Sequence, residues 1–318
     1  MKAWRVHELG QPEDVLRFED IEVPTPAKDQ VLVKVRAAAL NFPDLLMISG
    51  NYQVRPPLPF IPGVELTGEI VETGQRVIGS PADGFGAFAQ YAVLDTSAVW
   101  PVPDGMPDEQ AAALFLTYQT GHVGLHRRAR LQAGEVVLVH AGAGGVGSAA
   151  IQLAKAAGAT VIATAGGPEK RAVCLELGAD HALDYLAEDF VGPVKELTAG
   201  RGADVIYDPV GGDVFDSSRK CVAFEGRIVV VGFTSGRIAD APTNHALVKN
   251  YSVVGLHWGL YRTHQPGLIA EVHEELSRLY AAGAISPLVS QALPLAQAPQ
   301  ALAALGRRQT IGKVVLAA

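Results

Sequence analysis

The sequence predicts an α/β protein in two parts, a doubly wound parallel sheet and a second, β-rich domain. Three observations lead there. From Val136 onward, short apolar runs alternate with helix-like segments. The first of those runs ends in the turn Gly142-Ala143-Gly144-Gly145-Val146-Gly147, which leads straight into a helix of small residues. Before about residue 110 the pattern differs, with alternating strand-like runs broken by proline and glycine clusters.

In chain order, VLVKVRAAAL (31–40), LTGEIVETGQRVIGS (66–80) and FAQYAVL (88–94) read as half-buried strands. Between them RPPLPFIPG (55–63) must be an ordered loop, since each proline removes a backbone donor. A helix is expected over 107–116, opening with Asp108 and Glu109, acids that suit the positive end of a helix dipole. The following strands are VVLVHA, TVIATA, HALDY, DVIYDPV, RIVVVGF and YSVVGLHW, with KRAVCLELGA and VFDSSRKCVAF as helices among them. A further helix covers 268–283, and GKVVLA closes the chain as a strand. A lone strand leaves its backbone groups unpaired, so it must join the first domain. The expected domains are therefore 1–115 completed by 258–318, with 116–257 inserted between them.

With 318 residues, 48% hydrophobic and 19% charged, the chain is a well-buried globular protein large enough for about two cores. A net charge of −7 speaks against nucleic acid or an anionic membrane as the main partner. Cys174 and Cys221 are the only cysteines. They exclude a disulfide framework and a four-cysteine zinc site, and they fit a reducing compartment. The N-terminus lacks an apolar leader and no run is long enough to span a membrane, so a cytoplasmic protein is expected.

Strand, glycine turn and helix in succession indicate dinucleotide binding. Gly142, Gly144, Gly145, Val146 and Gly147 form the turn. Its glycines let the backbone approach a pyrophosphate, and the helix N-terminus offers unpaired N–H groups to that anion. An NAD site carries an acid at the end of the second strand. Here TVIATA runs into Gly166, Gly167, Pro168, Glu169, Lys170 and Arg171, with no acid at the strand end. The two glycines leave space for a 2′-phosphate and the two basic residues supply charge. NADP(H) is the expected cofactor, with Glu169 the one feature that points toward a ribose instead.

The segments AAALNFPDLL (37–46), PGVELTGEIVETG (62–74), GAFAQYAVL (86–94), GEVVLVHAGAGGVGSAAIQLAKAAGA (134–159), DVIYDPVGG (204–212), GRIVVVGFTSG (226–236), SVVGLHWG (252–259) and IGKVVL (311–316) run almost end to end. Together they resemble the zinc-independent medium-chain dehydrogenases/reductases of the quinone oxidoreductase (zeta-crystallin-like) branch. The resemblance implies a GroES-like, partly open β-barrel catalytic domain interrupted by a Rossmann domain, with the active site in the cleft between them. Zinc-dependent relatives place a cysteine and a histidine where this chain has Asn41 and Val64. Asp44 and Glu65 alone would hold zinc weakly, so no metal is expected. None of the histidines is read as a ligand, and His140 is read as packed at a strand end.

Without a metal to absorb charge on oxygen, the substrates should be activated acceptors, quinones or α,β-unsaturated carbonyls. Asn41 takes the ligand-cysteine position and its amide is expected to donate to the substrate oxygen. Tyr52 matches a cleft tyrosine and is expected to donate a hydrogen bond or relay a proton. Asp44 orients the loop, and Leu46 replaces a tyrosine of some relatives. The resemblance also places Thr120 near the nicotinamide ribose, Tyr185 near the 2′-phosphate, Val210 and Phe233 along the nicotinamide half, and Lys313 toward the cofactor. A homodimer through the YSVVGLHW edge strand is implied, because an exposed apolar edge is a pairing hazard. Two other readings are an enoyl-thioester reductase and a non-enzymatic NADPH-binding protein of crystallin or sensor type.

Overall fold

A computed structural model describes residues Met1–Ala318. The chain forms two units, one from Met1–Leu116 with Pro287–Ala318 and one from Thr117–Ser286.

The first unit is organised around the long strand Gln30–Ala39. It pairs antiparallel with Leu66–Ile70, with Tyr91–Asp95 and with the closing strand Lys313–Ala317. Lys313–Ala317 in turn carries Val289–Pro294 in parallel on its other side. The alternation of the sequence places Val33, Val35, Leu66, Val77, Leu94, Val314 and Leu316 on one inner face, where they pack with Ile48, Phe60 and Phe88. The expected pairing of the closing strand with the first domain is thus seen directly, as Val315 opposite Ala39.

The second unit holds six strands, all parallel. Across the sheet they run His181–Asp184, Thr160–Ala165, Val136–Val139, Ala203–Asp208, Val222–Val230 and Ser252–Gly255. In chain order this is 3-2-1-4-5-6, the doubly wound Rossmann arrangement. Its order reverses between Val136–Val139 and Ala203–Asp208, so the loops at the carboxyl ends of those strands form the binding edge. Ser252–Gly255 is an edge strand.

Two boundaries differ from expectation. The helix expected over 107–116 runs Asp108–His122, and a π-helical turn, Val123–Arg128, continues it. Thr117, Gln119 and Thr120 are nonetheless buried, so polar side chains that look like a helix end are interior. Residues 258–286, expected to complete the first domain, belong to the second unit. Their helix, Pro266–Ala281, buries Ile269, Val272, His273 and Leu276, and Gln119 Nε2 donates to the Ile269 carbonyl at 2.9 Å. Amphipathic spacing marks a helix as covering a core but does not say which core. No helix is long and apolar enough to cross a membrane.

Candidate functional site

In the first unit, Asn41 is the N-cap of a short helix, Phe42–Ile48. Its backbone N–H donates to Asp44 Oδ2 at 2.8 Å, one half of a capping box. Asp44 Oδ1 accepts the Gly63 N–H at 3.2 Å, tying the helix to the proline-rich loop. Gly63 has φ +101° and a Cβ there would lie 2.8 Å from the Phe88 nitrogen, so glycine is required. Glu65 follows in the next turn of chain. Its Oε1 accepts Lys313 Nζ at 2.9 Å and Asn41 Nδ2 at 2.8 Å, and its Oε2 accepts the Leu116 N–H at 2.7 Å. Lys313 Nζ also donates to the Leu40 carbonyl at 2.7 Å and to Asn41 Oδ1 at 2.6 Å. Asn41 Nδ2 completes the network at the Ala39 carbonyl, 3.1 Å away. Asp44 and Glu65 are 0% exposed and Lys313 is 4% exposed.

The bookkeeping of donors decides what these side chains can do. An ammonium has three N–H bonds and a carboxamide two, and here all five point at acceptors inside the cluster. Asn41, expected to donate to a substrate oxygen, has spent both its hydrogens on Ala39 and Glu65. Lys313, expected to approach the cofactor, is held by Leu40, Asn41 and Glu65. In this structure both side chains brace the loop against the closing strand. Burial pushes the Asp44 carboxyl up to about 7, against the pull of its backbone hydrogen bonds and of Lys313. Tyr52 is half-buried against the same core, and burial followed by the Asp44 charge raises its hydroxyl above the usual range. It therefore stays protonated at neutral pH, as a donor must. Glu65 was legible only as a leftover carboxylate. An acid inside the apolar run Gly63-Val64-Glu65-Leu66 signals a buried partner, and that partner lies 248 residues away.

The fold family's zinc does not fit this donor set. Val64 has no ligating atom and Asn41 Oδ1 already accepts from an ammonium, whose charge would oppose a second cation. No group of three or more His, Cys, Asp or Glu is arranged around a common point. His122 and His126, read in the sequence as forming no ligand pair, do stand at H-x-x-x-H spacing, with ring centroids 4.5 Å from each other.

In the second unit, the glycine turn sits where its sequence context puts it. Gly144 is the N-cap of the helix Gly145–Ala156, so the N–H groups of Gly145, Val146 and Gly147 have no acceptor within the helix. Gly142 packs where a Cβ would come within 2.8 Å of Cys174 Sγ and 3.0 Å of Ala163 Cβ. At Gly147 a Cβ would collide with the Ala141 carbonyl. At Gly144 it would meet only the Ala141 oxygen, at 3.2 Å, leaving the helix terminus open to an anion. These residues fit a pyrophosphate.

Beside the turn, Thr160–Ala165 ends at Gly166 and Gly167, the latter being the N-cap of the helix Pro168–Glu176 that carries Lys170. Tyr185 lies against Gly166, where a Cβ would be 2.9 Å from its hydroxyl. Arg171 is directed elsewhere, with Nε donating to the Ala182 carbonyl at 2.9 Å. Asp184, absent from the expected set, accepts the Gly167 N–H at 3.0 Å. On the other side of the switch point, Asp208 ends its strand and accepts the N–H groups of Val210 and Gly211 at 2.8 and 2.9 Å. Its Oδ2 has no hydrogen-bond partner, and burial raises its pKa. The loops bearing Val210 and Phe233 meet, since Ser235 N–H donates to the Val210 carbonyl at 3.0 Å and Phe233 closes over Gly211. Thr120 is buried on the helix Asp108–His122.

His140 is the packed strand-end residue expected. Ser218 gives its one hydroxyl hydrogen to the Val214 carbonyl, so it accepts from His140 Nε2 at 2.8 Å. Nδ1 then accepts from Thr164 Oγ1 at 3.0 Å. Burial lowers the pKa of this neutral ring to about 3.

Comparison with known proteins agrees with this architecture. Residues 27–104 match the alcohol dehydrogenase GroES-like domain and residues 145–275 the zinc-binding dehydrogenase family. A quinone oxidoreductase-like protein 2 homolog from Nematostella vectensis is 39% identical over 99% of this chain and 88% of its own length. The Escherichia coli quinone oxidoreductase complexed with NADPH superposes with a TM-score of 0.93 at 31% identity, covering 100% of both chains. A phthioceranic/hydroxyphthioceranic acid synthase from Mycobacterium bovis is 33% identical over 92% of this chain, which spans 14% of that much longer protein.

Proposed function

The chain belongs to the zinc-independent quinone oxidoreductases of the medium-chain dehydrogenase/reductase family, and we propose that it reduces quinones or related conjugated carbonyls with NADPH. The observation that carries this reading is the closed network around Lys313. A buried ammonium, spent on internal acceptors, stands in place of any group able to polarise an unactivated ketone. Acceptors that spread developing charge over their own conjugation need only one modest donor.

When bound, NADPH supplies the hydride. The N–H groups of Gly145, Val146 and Gly147 hold the pyrophosphate. Gly166, Gly167, Lys170 and Tyr185 receive the 2′-phosphate, while Thr120, Val210 and Phe233 bound the nicotinamide half. Tyr52 donates to the acceptor oxygen, because its raised pKa keeps the proton in place. Asp44, Asn41 and Lys313 fix the loop that carries it.

Steady-state NADPH oxidation against quinones, enals, enones and enoyl-CoA esters tests the proposal. Turnover of quinones or enones well above enoyl-CoA is the expected result, and tight NADPH binding with no acceptor turned over would reject an enzymatic role. A second reading, enoyl-thioester reduction, is favoured by the match to one segment of the mycobacterial acid synthase, and preference for enoyl-CoA would select it.

A homodimer through the edge strand is also proposed. Helix Thr243–Lys249 buries none of its residues. It leaves Leu247 and Val248 77% and 79% exposed, close in sequence to the unpaired edge Ser252–Gly255. A monomer in sedimentation at micromolar concentration would dismiss this. Two buried, unbridged cysteines support a cytoplasmic setting.

A further inference from the structure

We propose that Asp184 is a positioning residue for cofactor choice, fixing the pocket that separates NADPH from NADH; the inference rests on the NADPH reading above. Asp184 is the last residue of its strand and lies opposite Ala165, the last of the neighbouring strand. One of its oxygens, Oδ1, accepts the Gly167 N–H and the Leu186 N–H, each at 3.0 Å. These donors come from two different loops at the same end of the sheet.

Each loop contributes one wall. Gly167, at φ +83°, turns the chain into the helix whose first turn bears Lys170. Leu186 follows Tyr185 directly, so pinning its N–H sets the path from which the Tyr185 side chain leaves. That ring then lies against Gly166, where a Cβ would be 2.9 Å from the hydroxyl and 3.1 Å from Cζ. A single carboxylate oxygen thus ties together the two loops that carry Lys170 and Tyr185, the two side chains assigned to the 2′-phosphate.

The charge of Asp184 also has to be reconciled with an anionic ligand. A carboxylate free to turn toward the ribose would take its hydroxyls and repel a phosphate, the behaviour expected of an NAD site. Here the two backbone N–H groups hold it in place and hold its pKa below the usual range, with Arg171 adding to the effect. Arg171 in turn is fixed on the Ala182 carbonyl. The acid missing from the end of the second strand is present at the end of the third, committed to the backbone.

Dissociation constants for NADPH and for NADH, measured by cofactor fluorescence on the full chain, test the proposal. Asp184→Ala, which frees both loops from their shared anchor, should weaken NADPH on the order of tenfold and leave NADH within about twofold. Asp184→Asn can still accept both N–H bonds through its amide oxygen and should keep the wild-type preference. Asp184→Ser, whose shorter side chain sits one bond further from the two N–H donors, should show the same selective loss and serves if the Asp184→Ala protein does not fold. Equal weakening of both cofactors, or none, in Asp184→Ala or Asp184→Ser would overturn the role, as would an Asp184→Asn protein that loses the preference. A wild-type protein that does not bind NADPH would instead refute the cofactor reading itself.

Discussion

Replacing Lys313 with methionine removes one charge and leaves the rest of the cluster in place. Met has nearly the length of the lysine stem, so packing among the closing strands is preserved while Glu65 loses its only ammonium partner. Both side chains of this pair are essentially inaccessible to water. Breaking such a pair costs about 3–5 kcal/mol, whereas an exposed ion pair is worth about 0–1 kcal/mol. At about 2–4 °C per kcal/mol, the first unit should melt some 6–20 °C lower. Differential scanning calorimetry is the assay, because two units can give two transitions and only the one belonging to the first should move. Glu65→Gln alone should also destabilise, by stranding the ammonium. Combined with Lys313→Met it leaves neither member of the pair charged, so the double variant should lose less than the sum of the two single losses, with a coupling on the order of 1–3 kcal/mol. A loss below about 1 kcal/mol for Lys313→Met, or strictly additive effects, would refute the claim that this pair holds the loop.

Two further outcomes follow from geometry and titration. Gly147→Ala drives a Cβ into the Ala141 carbonyl and should lower stability by about 2 kcal/mol or more, while Gly144→Ala should fold normally and weaken NADPH selectively through the lost approach to the helix terminus; thermal melting and NADPH titration separate them, and equal melting temperatures would contradict the contact. His140 has a folded pKa lowered to about 3 from 6.5, so its contribution is fully present above 6.5 and is lost as pH falls toward 3. Asp44 has a folded pKa raised to about 7 from 3.8, so its contribution is largest in acid and is lost as pH rises toward 7. Melting temperatures from about pH 4 to 8 should accordingly fall less on the acid side in His140→Gln, and less toward neutrality in Asp44→Asn, than in the wild type; parallel curves would contradict both assignments.

Much of the architecture was legible because it rests on local patterns. The turn from Gly142 to Gly147 announces itself by a β-branched run before it and small residues after it. The closing strand could be assigned to the first domain because an unpaired strand is not a stable object. What stayed hidden depends on contacts between distant segments. The partner of Glu65 is 248 residues away, and nothing near Glu65 in sequence says that its acceptors are filled by Lys313 rather than by a metal. Asp184 escaped notice because the search for a ribose-binding acid looks at the second strand, and HALDY carries its acid one strand further on. Asn41 was recognised by position but its work was not, since the direction of an amide depends on neighbours that only the fold assembles.

The strand that supplies Lys313 is separated from Asn41 and Glu65 by the entire inserted unit. At about 5–20 residues per second of synthesis, roughly 12–50 s pass between the emergence of Glu65 and that of its counterion, given the 248-residue separation. During that interval the inserted unit can complete its own parallel sheet, whose six strands all lie between Val136 and Gly255. Until then the first unit lacks the ammonium that pairs with Glu65. Order of manufacture therefore favours an order of assembly: the parallel sheet has all its strands first, and the first unit is completed only when Lys313–Ala317 returns to pair with Gln30–Ala39.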